Sequence, residues 1–452
     1  MNTNYQRERK KTFQSIALLY FMIFLCSGIL PVNINNLLTF LPNTTKFGIG
    51  VINACALVMG IISIITFGYY SDKISDRYSK KRVFVCTNFV WIFAYGLASF
   101  SPNYFFYLVL IITSAVGTGA FLPLGFSMIG DLYPPKDRGK KYGVMQFSLV
   151  LGSGMGIIFG GMLGNYGGLL GWRFAYGLGF MLGLLGLIFY IFSAIEPERL
   201  RSEPEFEDYK GEIKYTYKIT LDNLRQLFRK KSVRAILIYV FCSGIANTIL
   251  GTWAIFYLNT KISSIDSSLI VTIYILSGSG SLPGTIIGGK LGDKYFKKGN
   301  PKARVLISII GLVIGIFFIM IFYLVPFYTA TTLQVILSWI FFLIVGYVGF
   351  FFTSFAVGNQ FAIYSEVSLP EVRSTTNAMN GLMVNIGGIF GNLIISSLIE
   401  SNISWLPYAI LLVLLIWLLG ALFWIIPYYH YPRESKECRD VLMKRREELE
   451  SI

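Results

Sequence analysis

Long apolar runs separated by short polar and mostly basic stretches organise this chain. They fall near 13–38, 47–70, 83–100, 104–129, 142–163 and 174–195, and again near 234–258, 267–289, 305–326, 333–363, 375–399 and 405–430. Each run exceeds the minimum of about 17 residues that a helix needs to cross the hydrocarbon core of a bilayer. The pattern predicts an all-α polytopic membrane protein with 12 transmembrane helices in two six-helix lobes. The expected divisions are an N-terminal lobe with its tail over 1–195, a linker over 196–233, a C-terminal lobe over 234–430 and a tail over 431–452. Within the linker, Glu196 to Glu212 is acidic and contains proline, as a flexible connector does. Ile219 to Arg234 places Leu221, Leu224, Leu227 and Phe228 on one helical face with bases on the other, which predicts an interfacial amphipathic helix.

Composition agrees. Hydrophobic residues make up 54% of the chain and charged ones 14%, with a mean hydropathy of +0.60. A soluble protein carries about 25% charged residues, so soluble enzyme, disordered scaffold and secreted disulfide module are excluded. Of the 39 Lys and Arg residues, 36 fall in the tails and alternate loops on one side; Lys46, Arg173 and Lys261 fall on the other. The basic side is expected to be cytoplasmic, with both termini inside and the plasma membrane as the location. The net charge of +15 then describes a basic inner face over anionic lipid and not a nucleic-acid partner. Cys26, Cys55, Cys86 and Cys242 lie in apolar runs and Cys438 in the basic tail, so no disulfide framework is suggested. One histidine, His430, leaves little material for imidazole catalysis or a metal site, and no metal or cofactor is expected. The N-terminal stretch reads as the cytoplasmic start of the first span, because the apolar run behind it is too long for a cleavable signal.

Two loop patterns recur. Gly68-Tyr69-Tyr70-Ser71-Asp72-Lys73 follows the second run and Gly289-Lys290-Leu291-Gly292-Asp293-Lys294 the eighth; each sets Asp four residues after Gly and leads into a basic cluster. Asp131 after the fourth run and Glu366 after the tenth are each followed seven residues later by an arginine, Arg138 and Arg373. Two six-span halves with matching loops are the architecture of transporters whose halves rock about a central cavity. At these residues the chain resembles the major facilitator superfamily, over nearly its whole length. Within that family it looks most like the Spinster-type branch, on Asp76-Arg77-Tyr78-Ser79-Lys80-Lys81, Gly152-Ser153-Gly154-Met155-Gly156, Gly171-Trp172-Arg173 and Pro370-Glu371-Val372-Arg373-Ser374-Thr375. The resemblance implies a gating latch. Its acid is Asp72 or Asp76, with Arg77, Arg82, Asp131 and Arg138 as neighbours, echoed by Asp293, Arg304, Glu366 and Arg373. Carboxylates at span ends can pair with such arginines or sit at a facing helix N-terminus, biasing one of two states.

Glycine is concentrated where helices would have to approach closely. Gly152, Gly156 and Gly160 mark the fifth span, Gly284 and Gly288 the eighth, and Gly387 and Gly391 the eleventh, several of them four residues apart. The stretch from Gly284 to Leu291 nearly fits a phosphate-binding loop. It has Leu291 where Ser or Thr must reach magnesium, and it closes a membrane span, so no ATP is expected.

No Asp, Glu, Lys or Arg lies near the middle of any run. Buried ionisable groups are the usual proton relays of coupled transporters. The resemblance implies charged residues in spans one and four. Aligned through Gly117-Thr118-Gly119, the fourth-span positions hold Thr113 and Ala120, and Ile29 to Asn33 is uncharged. What remains is neutral: Asn33, Asn36, Gln146, Asn247, Asn380 and Asn385, with Trp253, Tyr257 and Tyr274 as aromatic surface. Such a lining suits an uncharged or amphiphilic solute. The reading is a monomeric, non-enzymatic, secondary active or facilitative transporter of a small organic or lipid-like solute by alternating access; coupling could run through Asp131 or Glu366, and uniport or exchange is the simpler inference. A transport-inactive sensor on the same fold and a proton-coupled antiporter of amphiphiles are the alternatives.

Overall fold

The computed structural model describes residues 3–74, 79–133, 135–166, 170–196, 225, 227–262, 265–368 and 373–450. Among these, eleven helices are long and apolar enough to cross a membrane. The third span, Lys80–Ala98, falls outside that group because it opens on Lys80, Lys81 and Arg82 and carries Asn88. It nonetheless packs as a full member of its bundle, and Asn88 is neutralised locally. Its amide donates to the Phe84 carbonyl at 2.8 Å and its carbonyl accepts from Trp91 Nε1 at 2.8 Å.

The helices form two units, spans one to six and spans seven to twelve, except that Ala254–Phe256 and Asp266–Val271 group with the first. The same pairings occur inside each unit. In the first, span one packs on five and six, two on four, and three on four and six. In the second, seven packs on eleven and twelve, eight on ten, and nine on ten and twelve. Lipid tails are as apolar as leucine, so close packing and hydrogen bonds hold such bundles together.

Glycine permits the closest of these approaches. A β-carbon at Gly152 would lie 2.4 Å from the Phe21 carbonyl oxygen, one at Gly156 2.0 Å from that of Leu25, and one at Gly160 2.9 Å from Val32. At the corresponding crossing of the second unit, Gly387 would meet the Phe241 oxygen at 2.2 Å and Gly391 the Ile245 oxygen at 2.9 Å. Gly284 and Gly288 of the eighth span abut Phe351 and Phe355 of the tenth in the same way, at 2.1 and 2.5 Å. Aromatic rings fill the rest. Trp91, Trp172, Tyr107 and Tyr176 are fully buried in the first unit, and Trp253, Trp424, Tyr323 and Tyr364 in the second. The Tyr107 and Tyr176 hydroxyls share a 2.5 Å hydrogen bond, so neither is left unpaired in an apolar interior.

Several spans are broken. The first runs as Thr3–Ser27, Ile29–Val32 and Ile34–Phe40; the eighth as Ser267–Gly278 and Ser281–Lys297; the tenth as Thr332–Thr353 and Phe355–Val367. The seventh passes from Lys231–Thr248 through a π-helical turn, Ile249–Trp253, into Ala254–Lys261. Gly284 to Leu291 is helical throughout, with no strand before it.

The region after the twelfth span is helical. Leu406–Leu422 is followed by a second helix, Ile425–Glu450, on which Tyr431, Glu434, Ser435 and Cys438 are buried. Glu434 explains the docking: its carboxylate accepts from the backbone N–H of Lys231 at 2.7 Å and of Ser232 at 3.2 Å, satisfying the otherwise unpaired N-terminus of the seventh span. Of the expected amphipathic linker helix, residues 219–224 and 226 lie outside the described residues and Lys231 to Arg234 belong to the seventh span; of its apolar face, Leu227 is buried and Phe228 half-buried.

Candidate functional site

The two halves of the expected latch are described to different depths. In the first, Gly68 and Asp72 fall in the last turns of the second span, Lys46–Ile74. Asp131 ends the fourth, Tyr104–Leu132, and Arg138 opens the fifth, Pro135–Tyr166. The side chains of Asp72, Asp131 and Arg138, and all of Asp76 and Arg77, lie outside the described part. Arg82 is exposed. What is described nearby is a reciprocal cap. The Glu196 carboxylate accepts from Ser79 Oγ and from the N–H groups of Lys80 at 2.7 Å and Lys81 at 3.0 Å, closing the start of the third span. Lys81 Nζ donates to the Ile191 and Ala194 carbonyls, closing the end of the sixth.

In the second half the structure brings Asp293, Arg304 and Glu366 together. Arg304 Nη2 donates to Asp293 Oδ1 at 2.8 Å and Nη1 to Glu366 Oε1, while the guanidinium carbon stands 4.2 Å from the centre of the Phe296 ring. Tyr431, on the C-terminal helix, donates to the other Glu366 oxygen. The Arg304 side chain is 9% exposed, Glu366 24% and Asp293 59%, so the Arg304–Glu366 contact is the sheltered one and Asp293 the wet one. Removing Glu366 would leave the buried guanidinium with only the exposed Asp293 carboxylate, which is a costly way to break such a pair. Beside it, Gly292 allows the eighth and tenth spans to touch: a β-carbon there would sit 1.9 Å from Asn359 Oδ1. Asn359 in turn donates to the Gly288 carbonyl at 3.2 Å. A β-carbon at Gly289 would meet nothing, and the side chain of Arg373 lies outside the described part.

The neutral residues expected to line a cavity divide into clamps and open groups. Asn33 is fully buried; its amide donates to Ile29 and Gly160 carbonyls, both at 3.0 Å, and its Oδ1 accepts from Asn36 at 2.9 Å. Asn36 also donates to the Gly164 carbonyl at 3.3 Å, so both fasten the first span to the fifth. Trp253 is buried and donates to Asn392 Oδ1 at 3.3 Å; Tyr257 donates to the Tyr323 carbonyl at 2.8 Å. Tyr274 donates to the Leu250 carbonyl, which lies in the π-helical turn. Asn380 Oδ1 accepts from Gln360 Nε2 and from Tyr364 Oη at 3.3 Å, while its own amide donates to no described residue. Asn247 is exposed and Asn385 half-buried, and neither bonds a described residue. Gln146's side chain lies outside the described part.

Asn359, Gln360, Asn392 and Tyr431 escaped the sequence reading. The three amides sit in apolar runs like the ones it selected. Tyr431, Glu434, Ser435 and Cys438 form a stripe at helical spacing that the charges around it obscure. Two cations outside the basic side also find roles. Arg173 donates to the Ser99 and Ser101 carbonyls at 3.4 and 2.9 Å, beyond the third span. Lys261 donates to the Tyr323 and Val325 carbonyls at 2.7 and 2.5 Å, at the end of the ninth. Cations on helix C-terminal carbonyls are favourable, and the same corner of each unit is closed this way.

Known proteins are similar to this chain in sequence and in fold. Protein spinster homolog 3 of Danio rerio is 25% identical over 421 residues, covering 83% of this chain and 76% of its own. The sphingosine-1-phosphate transporter SPNS2 of Xenopus tropicalis is 25% identical over 413 residues, covering 84% and 74%. A bacterial homolog of the human lysosomal transporter Spinster, solved inward-facing and unoccupied, superposes with a TM-score of 0.77 at 16% identity, over 96% of this chain and 99% of that one. The Major Facilitator Superfamily model matches residues 16–367. With its two six-span units, its paired loops and the match to that family model, the chain belongs to the major facilitator superfamily, and it is similar to Spinster-type members of it.

Proposed function

We propose that this protein carries an uncharged or amphiphilic organic solute across the cell membrane, as a uniporter or exchanger and without catalysis. Membership of the superfamily supports transport by alternating access between two lobes. The observation that carries the finer reading is the neutrality of the spans. Their polar side chains are amides and hydroxyls, and the described charges stand at span ends. Among the described cavity candidates, Asn247, Asn385 and the amide of Asn380 have hydrogen-bonding capacity to spare, and we assign solute contact to them. SPNS2 is named for a phosphorylated lipid, which favours the amphiphilic end of the range. Arg304, Glu366 and Tyr431 form a latch at the cytoplasmic end of the second lobe in this reading, with both termini on that side of the plasma membrane and the protein a monomer.

A ligand at about 100 times its dissociation constant stabilises a native state by about 2.7 kcal/mol, a readable thermal shift. Purified protein is screened against sugars, organic acids, amino acids, nucleosides, drugs and lysolipids at neutral and acidic pH, and each hit is taken into proteoliposome flux. Stabilisation and flux by an uncharged or amphiphilic compound support the reading. Flux of small charged solutes only, with strong pH dependence, refutes it and favours coupling through Glu366. Binding without flux favours a sensor.

A further inference from the structure

The Gly171-Trp172-Arg173 stretch borders a groove that solute transport leaves unexplained. A cavity of about 600 Å³ opens on the first unit between Phe100 after the third span, Leu163 of the fifth, and Leu170, Arg173, Phe174 and Gly177 at the start of the sixth. Its walls are apolar and accessible: Phe100 is 76% exposed, Phe174 59% and Leu170 52%. In a membrane-spanning bundle, side chains this exposed face acyl chains. Gly177 leaves room along the groove, since a β-carbon there would meet nothing within 4 Å. Arg173 is the one charge in the lining, and it is held in place. Two of its N–H groups bind the Ser99 and Ser101 carbonyls, and its guanidinium stacks 5.0 Å from the Trp172 ring centre. Those partners are neutral; among the described residues no carboxylate pairs with it. A guanidinium has five N–H donors in a fork that matches phosphate oxygens.

We propose that this groove binds an anionic glycerophospholipid of the surrounding bilayer, its phosphate on Arg173 and one acyl chain along Gly177 between Leu163 and Phe174. An oriented cation at the head of an apolar slot complements a molecule that is anionic at one end and aliphatic at the other. Arg173 thereby serves twice, capping the third span and seating the lipid.

Native mass spectrometry of the full chain in mild detergent tests this, with phosphatidylglycerol and phosphatidylcholine of matched chains and inorganic phosphate as a third arm. The wild type is expected to retain phosphatidylglycerol over phosphatidylcholine by about tenfold or more, as a charge-assisted contact provides. Arg173→Gln loses that preference and Arg173→Lys keeps part of it. Gly177→Leu fills the groove and lowers phosphatidylglycerol retention without lowering thermal stability. Equal retention of the two lipids by the wild type overturns the proposal. So does a preference that survives Arg173→Gln, retention unaffected by Gly177→Leu, or displacement of the lipid by millimolar phosphate alone. Should Arg173→Gln fail to fold, Arg173→Lys and Gly177→Leu decide the matter.

Discussion

A methyl group at Gly156 would press to 2.0 Å from the Leu25 carbonyl oxygen, whereas one at Gly154, two residues earlier on the same helix, meets nothing within 4 Å. Alanine is the better helix former by about 0.8–1 kcal/mol, so Gly154→Ala is expected to raise stability slightly. Gly156→Ala, by contrast, forces two backbones apart and should cost at least about 1–3 kcal/mol. Thermal unfolding of the two variants in detergent reads the difference, and equal effects would mean that spans one and five do not meet as described. The amides divide in the same way. Asn33→Leu removes hydrogen bonds that join two helices and strands their acceptors, at a cost of about 1–3 kcal/mol. Asn385→Ala is expected to leave unfolding unchanged while shrinking the thermal shift produced by bound solute. Loss of stability from Asn385→Ala with no change in solute response would remove it from the binding surface.

The eighth, ninth and tenth spans meet the C-terminal helix at Arg304, and exposure ranks what each contact contributes. Glu366→Gln removes the sheltered charge while Asp293 still pairs with Arg304, and should lower stability by about 1.5–3 kcal/mol. Asp293→Asn touches a carboxylate that is 59% exposed and should cost less than about 1 kcal/mol. Chemical or thermal unfolding of both variants checks the order, and a larger loss from Asp293→Asn would reverse the assignment. At this scale much was legible in the sequence. A backbone in lipid must satisfy its own hydrogen bonds, so apolar length alone located the spans, including Lys80–Ala98 with its polar start. The doubled loop motif points to Asp293 and Glu366, and the family resemblance to Arg304 beside them. Tyr431 was not legible, because hydropathy stops where Arg433, Lys436 and Arg439 begin even though the helix beneath them continues. Nor does a sequence distinguish an amide that ties two helices, such as Asn33, from one left open, such as Asn385.

For the molecule as a whole, neutrality of the span interiors carries a prediction about energy. If no titrating group rides with the solute, counterflow exchange in proteoliposomes should change by less than about twofold when a pH gradient is imposed or collapsed. A gradient that drives accumulation would assign coupling to a span-end acid, Glu366 first. The docked helix Ile425–Glu450 bears on how the protein can be handled in the laboratory. Its Glu434 carboxylate holds the first N–H groups of the seventh span, and its Tyr431 hydroxyl holds Glu366. A fluorescent reporter or affinity handle joined directly after His430 would delete both anchors and is expected to yield aggregated material on size exclusion. The same handle joined after Val441 keeps them, and the fusion should elute as a single sharp peak.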